Sequence, residues 1–159
     1  MTIKITHPVE SDGPQILAIT AKIILFSPEE KICVKELWEE FQEKGAKLSG
    51  YEWLIAHDEI SVLGYACFGP RSLTVGTYDL YWIAVDPLRK RQGVGRILLQ
   101  QVELEIRAQG GRLLVVETSG LEKYAPTRLF YLGNDYKQEA VIKDFYEPGD
   151  DLVIFTKHL

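Results

Sequence analysis

Between Val85 and Arg96 the chain reads Val-Asp-Pro-Leu-Arg-Lys-Arg-Gln-Gly-Val-Gly-Arg, a combination suited to a compact polyanion such as a nucleotide phosphate cluster. Arg89, Lys90, Arg91 and Arg96 fall within eight residues, a concentrated cationic patch on a chain whose net charge is −5. Gly93 and Gly95 carry no Cβ to hold the backbone away from a phosphate. Val94, Leu98, Val102 and Ile106 then recur at every fourth position, so the two glycines stand where a helix begins. A helix N-terminus has unpaired N–H groups and the positive end of the dipole, both of which favour phosphate oxygens. The same residues would also serve as a plain helix entry beside a solvated charge run. The segment alone leaves both readings open.

Other reactive residue types offer less. The two cysteines, Cys33 and Cys67, make no disulfide framework, and no Cys/His cluster has metal-ligand spacing; no metal is expected. Cys67 lies in an apolar run and reads as a small core residue. His7 and His57 lack a serine or cysteine partner and read as surface or strand-end residues. Asp150-Asp151 reads as the cap of a tight turn, or as an attraction for a cationic amine.

The elements that must position the loop can be read in order. Residues 3–6 alternate as a short strand. Ser11 or Asp12 then caps a helix with Pro14 in its first turn, where Ile16, Ile19, Ile23, Leu17, Ala21 and Ile24 make a broad apolar stripe. Ser27-Pro28-Glu29-Glu30 opens a second helix, with Cys33, Leu37 and Phe41 on its inner face and Gly45 at its end. Strands at 51–57 and 62–68 flank the turn Asp58-Glu59, and a third runs from about 77 to 85. After the helix that begins near Gly93 and stops at Gly110-Gly111, the apolar run Leu113–Thr118 reads as a buried strand. Pro126 starts a short helix through Tyr131, and two last strands at about 137–146 and 152–157 flank Pro148-Gly149-Asp150-Asp151. The fold class is α/β (α+β): one mixed, mostly antiparallel sheet of about seven strands flanked by four helices.

With 159 residues, 46% of them apolar and 26% charged, the chain has globular composition and suits a single domain over residues 1–159. A globule of this size buries roughly 70% of its unfolded surface, so neither a disulfide nor a metal is needed to fold it. The acidic balance disfavours nucleic acid as a partner. No apolar stretch approaches the roughly 20 residues of a membrane span, and Met1-Thr-Ile-Lys-Ile-Thr is no secretory leader. A reducing, cytoplasmic setting is expected, with no membrane partner.

A dinucleotide site of Rossmann type fails on three points. Position 98, where a third glycine belongs, is Leu98. The preceding strand stops about seven residues short of Gly93, and the earlier strands read as an antiparallel meander instead of repeated βαβ units.

Val-Asp-Pro, a basic stretch and then Gln-Gly-Val-Gly-Arg-x-Leu-Leu resembles the acetyl-CoA-binding segment of the GCN5-related N-acetyltransferases, whose usual form is Arg/Gln-x-x-Gly-x-Gly/Ala. Here Lys90-Arg91-Gln92-Gly93-Val94-Gly95 fills it, with Lys90 in the place of the common arginine or glutamine. A second stretch, Phe130-Tyr131 followed by Asp135-Tyr136, is similar to the family's Phe-Tyr pair and the glycine-aromatic pair after it. The element order agrees along nearly the whole chain.

The resemblance implies an N-acetyltransferase that takes acetyl-CoA as co-substrate and transfers the acetyl group directly to a primary amine, on a small metabolite or a protein. It implies that the amides of Arg91 through Arg96 hold the pyrophosphate, and that Val85 and Ile83 on the preceding strand border the pantetheine arm. It gives Tyr131 the role of proton donor to the departing thiolate. Asp79 stands where family members often carry a glutamate base, and Glu117, ending the neighbouring strand, is the second candidate; either could instead be a structural hydrogen-bond partner. Tyr78 and Tyr81 flank Asp79 and could touch an acceptor. A domain of this fold that only binds acyl-CoA, or one that transfers another acyl group, would carry the same phosphate loop. Monomer and homodimer both stay open.

Overall fold

The computed structural model describes residues 2–159. The chain runs β1 (Lys4–Thr6), α1 (Gly13–Lys22), α2 (Pro28–Ser49), β2 (Glu52–His57), β3 (Val62–Pro70), β4 (Thr77–Val85), α3 (Val94–Ala108), β5 (Leu113–Ser119), α4 (Ala125–Leu132), β6 (Lys137–Glu147) and β7 (Asp150–His158). The sheet has seven strands in the order β1-β2-β3-β4-β5-β7-β6. β1/β2, β2/β3, β5/β7 and β6/β7 are antiparallel pairs, and β4/β5 is parallel. The expected mixed sheet and four helices are therefore present.

The chain divides into two compact units, Met1–Gly69 with Tyr81–Glu105 and Pro70–Leu80 with Ile106–Leu159. In the first, α1 and α2 cover one face of β2 and β3. Ile16, Ile19, Val34, Trp38, Trp53, Ile55, Val62, Tyr65, Cys67 and Ala84 form its buried core, with the Trp38 and Trp53 rings edge-on at 5.2 Å. Thr20 on α1 is buried there because its hydroxyl is satisfied twice, donating to the Ile16 carbonyl at 2.7 Å and meeting the Tyr65 hydroxyl at 2.8 Å. α3 buries Val94, Leu98, Val102 and Ile106, the four residues of its expected stripe, each contributing about 1.5–3 kcal/mol of burial.

The early helices depart from expectation at Cys33 and Ile24. The Ser27 cap forms as expected: Glu30 N–H donates to Ser27 Oγ at 3.1 Å and Ser27 N–H to Glu30 Oε2 at 2.6 Å. Of the predicted face, Leu37 and Phe41 pack against the core, whereas Cys33 is exposed and the buried residues of the helix are Val34 and Trp38. The Trp38 indole lies against the rings of Phe41 and Trp53. Gly45, with φ 75° and ψ 173°, breaks the helix where expected, and a short second helical segment beyond it runs to a left-handed cap at Gly50. The predicted α1 stripe is also too wide, for Ile24 is exposed beyond the helix end.

In the second unit, β5 lies beside β7 and parallel to β4, burying Leu114, Val116 and Phe155. β6 is the edge strand, and all of its residues are exposed. No helix among the described residues is long and apolar enough to cross a membrane.

Candidate functional site

Asp86 leaves β4 and organises the loop. Its Oδ1 accepts the Leu88 N–H at 3.0 Å and its carbonyl accepts the Arg89 N–H at 2.7 Å, closing a short 3-10 turn over Pro87–Arg89. Lys22 Nζ, at the end of α1, donates to Asp86 Oδ2 at 3.1 Å, and Arg89 Nη2 pairs with Asp58 Oδ2 at 3.5 Å. Asp58 in turn caps the β2–β3 turn, accepting from Ile60 and Ser61 N–H at 2.8 Å each. Partial burial pushes the Asp86 carboxyl up, but the Leu88 amide, the Lys22 hydrogen bond and the Lys22 and Arg89 charges outweigh it, so the group sits below its ordinary value.

Beyond this clamp the backbone turns twice through the left-handed region, at Arg91 (φ 62°) and Gly93 (φ 79°). Such alternation turns successive N–H groups toward one concavity, a geometry that holds anions. Ile97 N–H donates to the Gly93 carbonyl at 3.0 Å, so the Val94, Gly95 and Arg96 amides belong to the first turn of α3, ahead of its ladder. Lys90, Arg91, Gln92, Gly93 and Arg96 are exposed. Of the four cations that the sequence groups together, Arg89 is therefore committed to Asp58. No ion pair is found for Lys90, Arg91 or Arg96 among the described residues. These residues fit a phosphate group: donors, charge and open access coincide.

The parallel ladder of β4 with β5 runs from Thr77↔Leu113 to Leu80↔Val116, and β4 continues to Val85. Ile83 and Val85 lie on that continuation, both half-buried. Tyr81 is partly exposed and meets the Tyr51 ring edge-on at 5.4 Å. Tyr78, expected to be able to reach an acceptor, is buried and donates its hydroxyl to Gln109 Oε1 at 3.2 Å.

The second unit holds the three candidate proton-transfer residues. Tyr131 on α4 is 4% exposed, packed against Phe155 at 5.7 Å, Tyr136 at 5.7 Å and Phe130 at 5.3 Å. Burial pushes its phenol up, which keeps it neutral and protonated. α4 is pinned to the end of β5, because Arg128 Nη1 donates to the carbonyls of Ser119 and Leu121 at 2.8 Å each. Ser119 Oγ also donates to Asp150 Oδ1, and Asp151 Oδ1 accepts the Asp144 N–H at 3.0 Å; the acidic pair thus braces the β5 exit and the β6–β7 hairpin.

Asp79 and Glu117 are brought together. Asp79 is opposite Val115 in the register, which puts Glu117 two residues further along the same face. One guanidinium serves both: Arg71 Nε donates to Asp79 Oδ2 at 2.9 Å and Oδ1 at 3.1 Å, and Arg71 Nη2 lies 3.5 Å from Glu117 Oε1. Sequence reasoning missed Arg71. A lone arginine in a turn has no local pattern, and its partners stand 8 and 46 residues away. Asp86 had a signal, since Asp-Pro at a strand exit is a favoured cap.

The acetyltransferase (GNAT) domain family matches residues 49–138, more than half of the chain. The chain belongs to the GNAT family of acetyltransferases. A GNAT-family protein from Desulfovibrio desulfuricans is 42% identical to it, with 99% of each chain covered and a TM-score of 0.95. More distant members share the fold. The ribosomal-protein-S18-alanine N-acetyltransferase from Escherichia coli is 20% identical, with 99% of this chain and 94% of that one covered at a TM-score of 0.75. A Salmonella typhimurium protein solved with its cofactor acetyl-CoA is 19% identical, with 100% and 95% covered, also at 0.75. No curated protein sequence matches the chain. The Val85–Arg96 segment and the Phe130-Tyr131 segment both lie inside the matched range.

Proposed function

We propose that this GNAT protein is an acetyl-CoA-dependent N-acetyltransferase that passes the acetyl group to a primary amine by direct transfer in a ternary complex. The observation that carries this reading is the loop before α3: two left-handed turns at Arg91 and Gly93, leading into a helix N-terminus beside exposed, uncommitted cations. The Salmonella typhimurium protein of the same fold was solved with acetyl-CoA, which supports the same donor here.

In this reading the amides of Arg91 through Arg96 hold the pyrophosphate, and Lys90, Arg91 and Arg96 add charge. The backbone of Ile83 and Val85 aligns the pantetheine arm, and an N–H near Val85 polarises the thioester carbonyl. Acetyl-CoA supplies an activated acyl group; the chain positions it, which provides much of the acceleration without a protein nucleophile. A carboxylate, Asp79 or Glu117, accepts the ammonium proton so that the amine is neutral when its N–C bond forms. Tyr131 then protonates the sulfur as the C–S bond breaks, the nitrogen loses its second proton to solvent as the amide forms, and the Tyr131 phenolate is reprotonated from solvent. The acceptor is a small metabolite or a protein amino group. The two cysteines are unpaired, in keeping with a reducing cytoplasm.

Calorimetric titration with acetyl-CoA, for the parent and for Gly95→Glu, tests the donor site. The expected result is micromolar binding to the parent and none to the variant, with both shown folded by circular dichroism. A folded parent that does not bind acetyl-CoA overturns the reading.

A further inference from the structure

We propose that Arg71 is a positioning residue that makes Glu117, and not Asp79, the proton acceptor of this site. The inference rests on the acetyltransferase reading above and adds to it a choice between two carboxylates and the group that makes the choice.

Asp79 and Glu117 share one face of the β4/β5 pair, and two like charges so placed repel each other. Arg71 stands between them, but it does not divide itself equally. Its Nε reaches both oxygens of Asp79, at 2.9 and 3.1 Å, whereas Nη2 reaches one oxygen of Glu117 at 3.5 Å. Exposure is divided the same way: the Asp79 side chain is 12% exposed and that of Glu117 is 43% exposed. Asp79 is thus a buried carboxylate whose two oxygens share the one Arg71 Nε–H. Glu117 is an open one, steered from one side and accessible on the other, which is what proton transfer from a bound ammonium requires.

Arg71 is itself held well enough to steer. Its N–H donates to the Thr77 carbonyl at 2.8 Å, and its carbonyl accepts from Thr74 Oγ1 at 2.7 Å, so the β3–β4 turn closes around the residue that launches the guanidinium. The far side of the turn is fixed as well, since Arg112 N–H donates to the Gly76 carbonyl at 2.8 Å and Arg112 Nε to the Val75 carbonyl at 2.6 Å. The order of control is Asp79 to Arg71 to Glu117: the buried carboxylate orients the guanidinium, and the guanidinium orients the exposed carboxylate. Arg71 from the turn is ion-paired with Glu117, Asp79 lies on the same face of β4, and the register partner of Glu117 on β7 is uncharged Ile154. In the step itself the ammonium proton moves to a Glu117 oxygen, the amine nitrogen bonds to the acetyl carbon, and the C–S electron pair leaves with sulfur, which takes a proton from Tyr131. The nitrogen sheds its second proton to solvent as the amide forms, and the Tyr131 phenolate is reprotonated from solvent.

The test uses the full chain with acetyl-CoA and an amine panel of an alanine-terminated peptide, an aminoglycoside and spermine. The pH–rate profile of kcat is recorded for the parent, Glu117→Gln, Asp79→Asn, Arg71→Gln and Arg71→Lys, alongside acetyl-CoA affinity by calorimetry and a melting curve for each. Glu117→Gln is expected to lower kcat by about 10²–10⁴-fold and to abolish the ascending limb. Asp79→Asn keeps that limb. Arg71→Gln lowers kcat about tenfold or more and displaces the limb with acetyl-CoA affinity unchanged, and Arg71→Lys recovers part of the loss. An ascending limb that disappears in Asp79→Asn and survives in Glu117→Gln overturns the proposal. So does an Arg71→Gln profile superimposable on the parent. If Arg71→Gln fails to fold, the Glu117→Gln and Asp79→Asn pair still decides which carboxylate is the base, and Arg71→Lys decides whether the guanidinium matters. A parent that binds acetyl-CoA but acetylates none of these amines overturns the acetyltransferase reading itself, and this inference with it.

Discussion

Lys22 Nζ donates to Asp86 Oδ2 across 3.1 Å, joining the last turn of α1 to the first residue after β4. The same carboxylate caps the 3-10 turn through Leu88, so one side chain fixes both where the loop before α3 begins and which way it starts. Arg89 and Asp58 add a second anchor at 3.5 Å. The clamp lies upstream of the two left-handed residues and leaves the remaining cations of the loop uncommitted.

Acid should loosen this clamp in a defined window. The Asp86 carboxyl sits below its ordinary value in the fold, so the unfolded chain takes up the proton first as pH falls. Its stabilising contribution is complete above the unfolded value of about 3.9 and is lost as pH falls through the lower, folded value. Asp86→Asn keeps an oxygen for the Leu88 amide and removes only the charge. Melting temperatures of parent and variant should therefore differ by a constant amount from neutral pH down to about 5 and converge below about 4. A gap that persists unchanged in acid would mean that the charge contributes nothing.

Gly93 tests the loop backbone. Its φ is 79° and a Cβ there would meet nothing within 4 Å, so the cost of a side chain is conformational and not steric. Gly93→Ala should lose about 1 kcal/mol of stability, read as a shift in the urea midpoint, and should bind acetyl-CoA more weakly. An unchanged midpoint would mean that the loop relaxes freely out of the left-handed region.

The cations should separate into two classes. Neutralising Lys90, Arg91 and Arg96 together to glutamine should weaken acetyl-CoA binding about tenfold to hundredfold and flatten its salt dependence, on the scale of 0.5–1 kcal/mol for each exposed ionic contact. Arg89→Gln should change affinity far less, because Arg89 is paired with Asp58. Calorimetry at two salt concentrations distinguishes these outcomes, and an equal loss from Arg89→Gln would refute the division.

Tyr131→Phe should reduce kcat by about 10²–10⁴-fold, the usual worth of a positioned proton donor, with acetyl-CoA affinity retained. The ring contacts to Phe155 and Tyr136 survive the change, so the melting temperature should move little. Full turnover in the variant would make Tyr131 a packing residue only and assign the thiolate proton to solvent.

Periodicity and turn chemistry made most of the elements legible, because those signals act over a few residues. The α3 stripe, the Ser27 capping box, the order of strands and the glycine-rich entry to α3 all follow from spacing along the chain. The positions of Val85, Gly93, Gly95 and Tyr131 on their elements follow likewise. What sequence could not decide depends on residues that meet only after folding. On α2, Trp38 is buried against Trp53 from a later strand, a contact that the helix's own spacing does not report, and Cys33 on the expected face is exposed. Arg89 was grouped with the phosphate cations until the fold placed Asp58 beside it. Most clearly, the parallel register of β4 and β5 sets Asp79 and Glu117 on one face, and the closed β3–β4 turn delivers Arg71 between them. Electrostatic partnership depends on distance in space, and separations of 8 and 46 residues along the chain carry no trace of it.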